Sequence, residues 1–205
     1  MASRASSASE AGPAVEPVPA EHIARLAVVG AGTLGWQIAC LGLARGFTVG
    51  LHDIQPAALA TARARIAAQL VELAGDGAPP ADAALARLTT ATELAEVAGQ
   101  ADFVIESVPE SVPLKRSVFA ALDRLAPPAA ILATNSSSFR SRLLADATGR
   151  PDRVLNYHFF NFPWRRRYVE IMTCGRTSAA SLAAAEGLGR RLGLAAVVLR
   201  GEVTG

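Results

Sequence analysis

The stretch Leu26-Ala27-Val28-Val29-Gly30-Ala31-Gly32-Thr33-Leu34-Gly35 decides the fold. A short apolar run predicts a buried strand, and the glycines after it fall in the order GxGxxG at the start of a helix-forming segment. Each glycine has a separate use: Gly30 permits a tight turn, Gly32 lets a pyrophosphate approach the backbone, and Gly35 lets the helix pack close to the strand. The helix N-terminus then faces the negative charge. A second strand, expected over Thr48 to Asp53, ends in a carboxylate at about the 20-residue distance expected of a ribose ligand. Asp53 at that place accepts from both ribose hydroxyls and repels a 2′-phosphate, which selects NAD over NADP. The plainer reading of the same residues is a structural turn, with Asp53 capping the helix that starts near Pro56.

Outward from this unit the chain alternates β-branched runs with Ala/Leu-rich amphipathic runs, the pattern of repeated βαβ units. Strands are expected at Leu26–Gly30, Thr48–Asp53, Phe103–Ser107, Ala130–Thr134, Val154–His158, Tyr168–Met172 and Ala195–Leu199, with a weaker one at Leu88–Ala91. Helices are expected at Leu34–Arg45, Pro56–Leu73, Leu114–Leu125 and Ser178–Leu192. Pro56 suits a first helical turn and Gly46 a helix stop. The run from Gly75 to Asp82 reads as a surface turn. Between Val154–His158 and Tyr168–Met172 the connection is too short for a crossover helix, so these strands are expected to pair antiparallel across a loop at Asn161–Arg167. The fold class is therefore α/β: a Rossmann-type, doubly wound, mainly parallel sheet with an antiparallel hairpin toward the C-terminus.

Composition narrows the function. With 205 residues, 51% of them apolar, one well-buried domain is the default. A net charge of +2, with no dense basic block beyond Arg165-Arg166-Arg167, gives no nucleic-acid surface. No apolar run reaches the roughly 20 residues that span a bilayer, so no membrane is expected as a partner. Cys40 and Cys174 have no metal-ligand or disulfide spacing, which predicts no metal site and fits a reducing, cytoplasmic setting. Residues 1–20 read as a disordered tail before a domain spanning 21–205. A mitochondrial transit peptide is the alternative for that tail, and Glu10 and Glu16 count against it.

Further motifs follow in order: Ala101-Asp102-Phe103-Val104-Ile105-Glu106-Ser107-Val108-Pro109-Glu110, Leu132-Ala133-Thr134-Asn135-Ser136-Ser137-Ser138, His158-Phe159-Phe160-Asn161 and Val169-Glu170. With the Gly30 turn they make the chain from about Arg25 to Gly205 resemble the NAD-binding domain of the L-3-hydroxyacyl-CoA dehydrogenases. The resemblance implies hydride transfer between NAD and the 3-hydroxyl of an acyl-CoA, within fatty acid metabolism. It implies His158 as general base, Glu170 as its orienting partner, and Ser137 and Asn161 as groups at the substrate. It also implies cofactor contacts at Thr33, Leu34, Glu110, Lys115 and Asn135.

The chemistry supports His158 on separate grounds. Removing hydride from a secondary alcohol requires a base for the hydroxyl proton, and imidazole suits that at neutral pH. Of His22, His52 and His158, only the last ends a strand on the carboxyl side, away from the ribose. The bland alternatives are a packed strand-end histidine for His158 and a turn cap for Ser137. Lys115 is the only lysine in a chain whose other basic side chains are arginines, which hints at a place that only a compact ammonium fills.

The sequence departs from the family pattern in two places. Phe162 stands where the family's His-Phe-Phe-Asn string continues with proline, and the loop runs on through Pro163-Trp164-Arg165-Arg166-Arg167, either a grip for an anionic substrate or a solvated turn. The chain also stops at Gly201–Gly205, where the family continues into a helical domain that bears another catalytic asparagine and the dimer interface. The expectation is a cofactor half, with a homo-oligomer or a partner subunit supplying the rest. The competing readings are a non-catalytic NAD-binding module, half of a split enzyme, and a dehydrogenase of another 3-hydroxy acid, whose carboxylate the arginines would bind.

Overall fold

A computed structural model describes residues 15–74 and 78–199. From the N-terminus the regular elements are β1 (Arg25–Val29), α1 (Gly35–Ala44), β2 (Thr48–His52), α2 (Pro56–Leu73), α3 (Ala81–Leu85), β3 (Leu88–Ala91), α4 (Leu94–Ala98), β4 (Phe103–Glu106) and α5 (Val112–Leu125). They continue as β5 (Ile131–Thr134), α6 (Arg142–Ala145), β6 (Val154–His158), α7 (Pro163–Arg166), β7 (Tyr168–Thr173), α8 (Ala179–Arg191) and β8 (Ala195–Val198). Short 3₁₀ turns precede β1 and β6.

The strands form one sheet in the order β3-β2-β1-β4-β5-β6-β7-β8. Every neighbouring pair is parallel except β6–β7, which is antiparallel with His158 opposite Glu170. The chain leaves β1 toward β2 and β3, then returns to place β4 on its other side. That reversal opens a crevice at the carboxyl ends of β1 and β4.

Side chains along β1 alternate between two cores. Leu26 and Val28 join the core under α1, α2 and α8, whereas Ala27 and Val29 join the one under α4, α5 and α6. A sheet buried on both faces needs near-continuous apolar strands, as in the fully buried Phe103-Val104-Ile105. Local signals fix the ends: Pro56 opens α2, Gly46 takes φ +89 after α1, and the Ser178 side chain accepts the Ser181 N–H at 3.1 Å, a cap worth about 1 kcal/mol.

The expected strands and long helices are present with ends shifted by one or two residues. The Asn161–Arg167 segment differs from the expected loop. It holds one helical turn, α7, bracketed by Phe162 and Arg167, both in the left-handed region at φ 58 and 57. The expected tail also differs where it is described, because Val18 donates to the Ala129 carbonyl at 3.1 Å and Arg153 donates to the Val15 carbonyl. The first fourteen residues of that tail, residues 75–77 of the expected surface turn, and Arg200 to Gly205 lie outside the described residues. The end of that turn is helical from Ala81. Among the described residues no helix is long and apolar enough to cross a membrane.

Candidate functional site

The carboxyl ends of β1, β2, β4, β5 and β6 converge on a cleft of about 460 Å³. At one end are Gly30, Gly32, Thr33, Leu34 and Asp53; at the other are Ser137, His158 and Asn161, with Glu110, Lys115 and Asn135 between them. The expected site residues are therefore brought together, except Gly35 and Glu170, which support the lining from behind.

The glycine turn has the geometry that its sequence implies. Gly30 takes φ +103, and a Cβ on it would lie 2.6 Å from the Ser107 carbonyl oxygen. A Cβ on Gly35 would lie 1.8 Å from the Gly30 carbonyl oxygen. At Gly32 an added Cβ would meet nothing within 4 Å, because this backbone faces the open cleft. That open cradle before the N-terminus of α1 fits a diphosphate. Asp53 accepts from the Ala31 N–H and the Gln55 N–H, both at 2.9 Å, so its carboxylate also ties the turn to the start of α2. Asp53 therefore has a local structural role through these two bonds, although it does not cap α2, and it also lines the cleft.

A buried charge network lies beneath the middle of the cleft. The Lys115 ammonium donates to Glu106 Oε1 at 2.7 Å and to the Val108 carbonyl at 3.1 Å, and sits 3.4 Å from Glu110 Oε2. Glu106, at the end of β4, also accepts from the Val108 N–H and the Thr134 hydroxyl, both at 2.7 Å. Lys115 and Glu106 are buried, and a compact ammonium on a four-carbon stem suits three acceptors converging at one point. Glu110 accepts from the Ser136 hydroxyl at 2.9 Å and the Ser137 N–H at 3.0 Å. Partial burial acts to raise its carboxyl pKa, but Lys115 and these hydrogen bonds outweigh burial and hold it below the ordinary carboxylate value.

At the far end, Nδ1 of His158 is 3.1 Å from Oε2 of Glu170 across the β6–β7 ladder. The imidazole packs at a tilt against Phe160, ring centroids 4.5 Å apart, and Phe160 in turn rests 4.8 Å from Tyr168. Asn135 holds the approach to this strand end by accepting the Phe159 N–H at 2.8 Å. The Ser137 hydroxyl sits at the rim, 3.4 Å from that of Ser138. The arginines at 165–167 are exposed but do not line this cleft; Arg167 lines a separate hollow with Arg45 and Trp164. His52 is a structural histidine: Nε2 meets the Thr92 carbonyl at 3.1 Å, and burial lowers its pKa.

Sequence reasoning missed Gln37 and Glu106. Gln37 is buried on α1, donates to the Thr33 carbonyl at 2.7 Å and accepts the Phe162 N–H at 2.6 Å. The available signal was a polar side chain on an otherwise apolar segment, since a buried polar group must find a partner. Among the described residues no cluster of His, Cys, Asp or Glu has the makings of a metal site.

Residues 25–203 match the family model described as 3-hydroxyacyl-CoA dehydrogenase, NAD binding domain. The chain is 33% identical over 175 residues to the "Probable 3-hydroxybutyryl-CoA dehydrogenase" of Bacillus subtilis, covering 82% of this chain and 61% of that protein. It is 32% identical over 185 residues to an L-carnitine dehydrogenase of Streptomyces coelicolor, covering 90% of this chain and 58% of that one. The crystal structure of (S)-3-hydroxybutyryl-CoA dehydrogenase from Ralstonia eutropha superposes with a TM-score of 0.82 at 31% identity, covering 89% of this chain and 65% of that chain. The chain thus spans roughly three fifths of the length of these relatives.

Proposed function

The chain belongs to the 3-hydroxyacyl-CoA dehydrogenase family as an NAD-binding domain, and from that premise we propose that it interconverts 3-hydroxyacyl-CoA and 3-oxoacyl-CoA. The observation that carries the reading is His158, backed by Glu170, in the same cleft as the glycine turn and Asp53. A base and a dinucleotide cradle in one crevice are the two parts that alcohol oxidation requires.

NAD, when bound, supplies the hydride acceptor or donor. Gly30, Gly32, Thr33 and Leu34 would hold its diphosphate at the start of α1, and Asp53 its ribose. His158 takes the proton of the 3-hydroxyl during oxidation and returns it during reduction. With Nδ1 engaged by Glu170, Nε2 is the ring nitrogen left for that proton, and the carboxylate stabilises the imidazolium that forms. Ser137 donates to the substrate oxygen. Asn161 lines the same end of the cleft and contributes a side-chain amide to the substrate.

Two features favour narrower alternatives. The exposed arginines at 165–167, which follow Asn161 closely in sequence, would suit a free carboxylate, and L-carnitine is a 3-hydroxy acid without coenzyme A. On the outer strand β8, Val197 and Val198 are each 40% exposed, an apolar edge that suits a further domain, a second copy or a partner subunit. This edge suits a cofactor-binding domain that meets such a partner for turnover. That one domain would begin before residue 21, since Val15 and Val18 are hydrogen-bonded to it.

NADH oxidation by the purified chain with acetoacetyl-CoA tests the proposal, with His158→Ala as control. Turnover that disappears in the variant supports it. Saturable NADH binding without turnover would favour the half-enzyme, and turnover equal in His158→Ala would remove the histidine from the chemistry.

A further inference from the structure

The two ends of the cleft are joined behind its floor by one side chain. Gln37 projects from the first turn of α1, and its carboxamide has both ends engaged. Nε2 donates to the carbonyl of Thr33, inside the glycine turn, at 2.7 Å, and makes a longer contact of 3.4 Å with Oδ1 of Asn161. Oε1 accepts the N–H of Phe162 at 2.6 Å. Phe162 is held in the left-handed region, a conformation that a bulky residue adopts only when its surroundings over-determine it. The amide orientation is settled by its partners, a carbonyl on one side and an N–H on the other. With Oδ1 of Asn161 facing Gln37, the Asn161 NH₂ remains for the cleft. Trp36 and Trp164 pack across the same α1–α7 contact, ring centroids 6.0 Å apart.

We propose that Gln37 is a positioning residue that couples the dinucleotide turn to the His158–Asn161 loop, so that a cofactor seated on the turn fixes the loop for substrate. What the loop then does in turnover rests on the function proposed above. A carbonyl on the cofactor side and an N–H on the substrate side share one rigid amide, so displacement of either moves the other. Coupling of this kind is reciprocal: ordering the loop strengthens cofactor binding by the factor by which cofactor orders the loop.

Hydrogen–deuterium exchange of residues 159–168, with and without NADH, reads the coupling directly in the full chain. In the wild type NADH slows exchange of this segment. In Gln37→Leu the ligand-free segment exchanges about tenfold faster, the size of one lost hydrogen bond in a cooperative contact, and no longer responds to NADH although NADH still binds. Gln37→Glu keeps the acceptor for Phe162 and loses the donor to Thr33. A second oxygen then faces the Thr33 carbonyl, so its ligand-free exchange falls between those of the wild type and Gln37→Leu while the response to NADH is lost, a separation that a merely structural glutamine would not produce. Gln37→Glu also carries the test if Gln37→Leu does not fold. Exchange in both variants as slow and as responsive as in the wild type overturns the proposal. Should the wild type bind no NADH, the cofactor reading fails by itself, and the ligand-free comparison still decides whether Gln37 holds the loop.

Discussion

His158 and Glu170 stand directly opposite each other in the antiparallel β6–β7 ladder, with imidazole Nδ1 3.1 Å from carboxylate Oε2. A ladder pair is held by two backbones, so the dyad needs no induced movement to form. Glu170→Gln keeps the size but removes the charge that stabilises an imidazolium and fixes its tautomer. The expected loss in kcat is about 10²- to 10⁴-fold with little change in NADH affinity. Steady-state kinetics beside an NADH titration checks this, and a variant of unchanged kcat would leave Glu170 a packing residue.

The Lys115–Glu106 pair predicts a stability effect that surface lysines do not have. Lys115→Met leaves a buried carboxylate without its cation, which costs about 3–5 kcal/mol. The double variant Lys115→Met with Glu106→Gln costs less than the sum of the two single changes. Urea unfolding measures all three. Lys115→Arg is also destabilising, because a planar fork does not meet acceptors arranged around one point.

Glu110 predicts the pH dependence. Its folded pKa lies below the ordinary carboxylate value, so its stabilisation is present above the unfolded pKa and is lost as pH falls through the folded one. The stability gap between wild type and Glu110→Gln is therefore widest near neutrality and closes below about pH 4. Unfolding midpoints at a series of pH values give that gap, and one that widens toward acid would contradict the assignment.

Gly32 and Gly35 separate binding from folding. Gly35→Ala places a methyl against the Gly30 carbonyl and lowers Tm. Gly32→Ala adds a methyl to open space, so Tm holds while NADH affinity falls about tenfold, the effect of one lost charge-assisted contact to the diphosphate. Thermal melts with and without NADH distinguish the two variants.

The fold and the cleft lining were legible because they rest on local signals: glycines at fixed spacing, apolar runs that end in polar residues, and a connection too short to cross over. His158 and Glu170 could be paired from sequence because a hairpin brings near neighbours together. The links behind the lining were not legible. Gln37 finds Phe162 only after the sheet sets the end of β6 beside α1, and Glu106 finds Lys115 only after the chain turns from β4 into α5. Both partnerships are made in three dimensions, and Gln37 and Glu106 themselves give only the signal of polarity in apolar company. The α7 turn was missed for a related reason, since its boundaries are two left-handed residues without the glycine or asparagine that usually marks that conformation.

The central claim, that this cleft holds NAD through the glycine turn and Asp53, is tested most directly by fluorescence titration of the purified chain with NADH and NADPH. The account predicts saturable NADH binding and NADPH binding weaker by about tenfold or more, since the Asp53 carboxylate meets a 2′-phosphate of like charge. Asp53→Asn narrows that gap. No NADH binding, or equal affinity for the two dinucleotides, would contradict it.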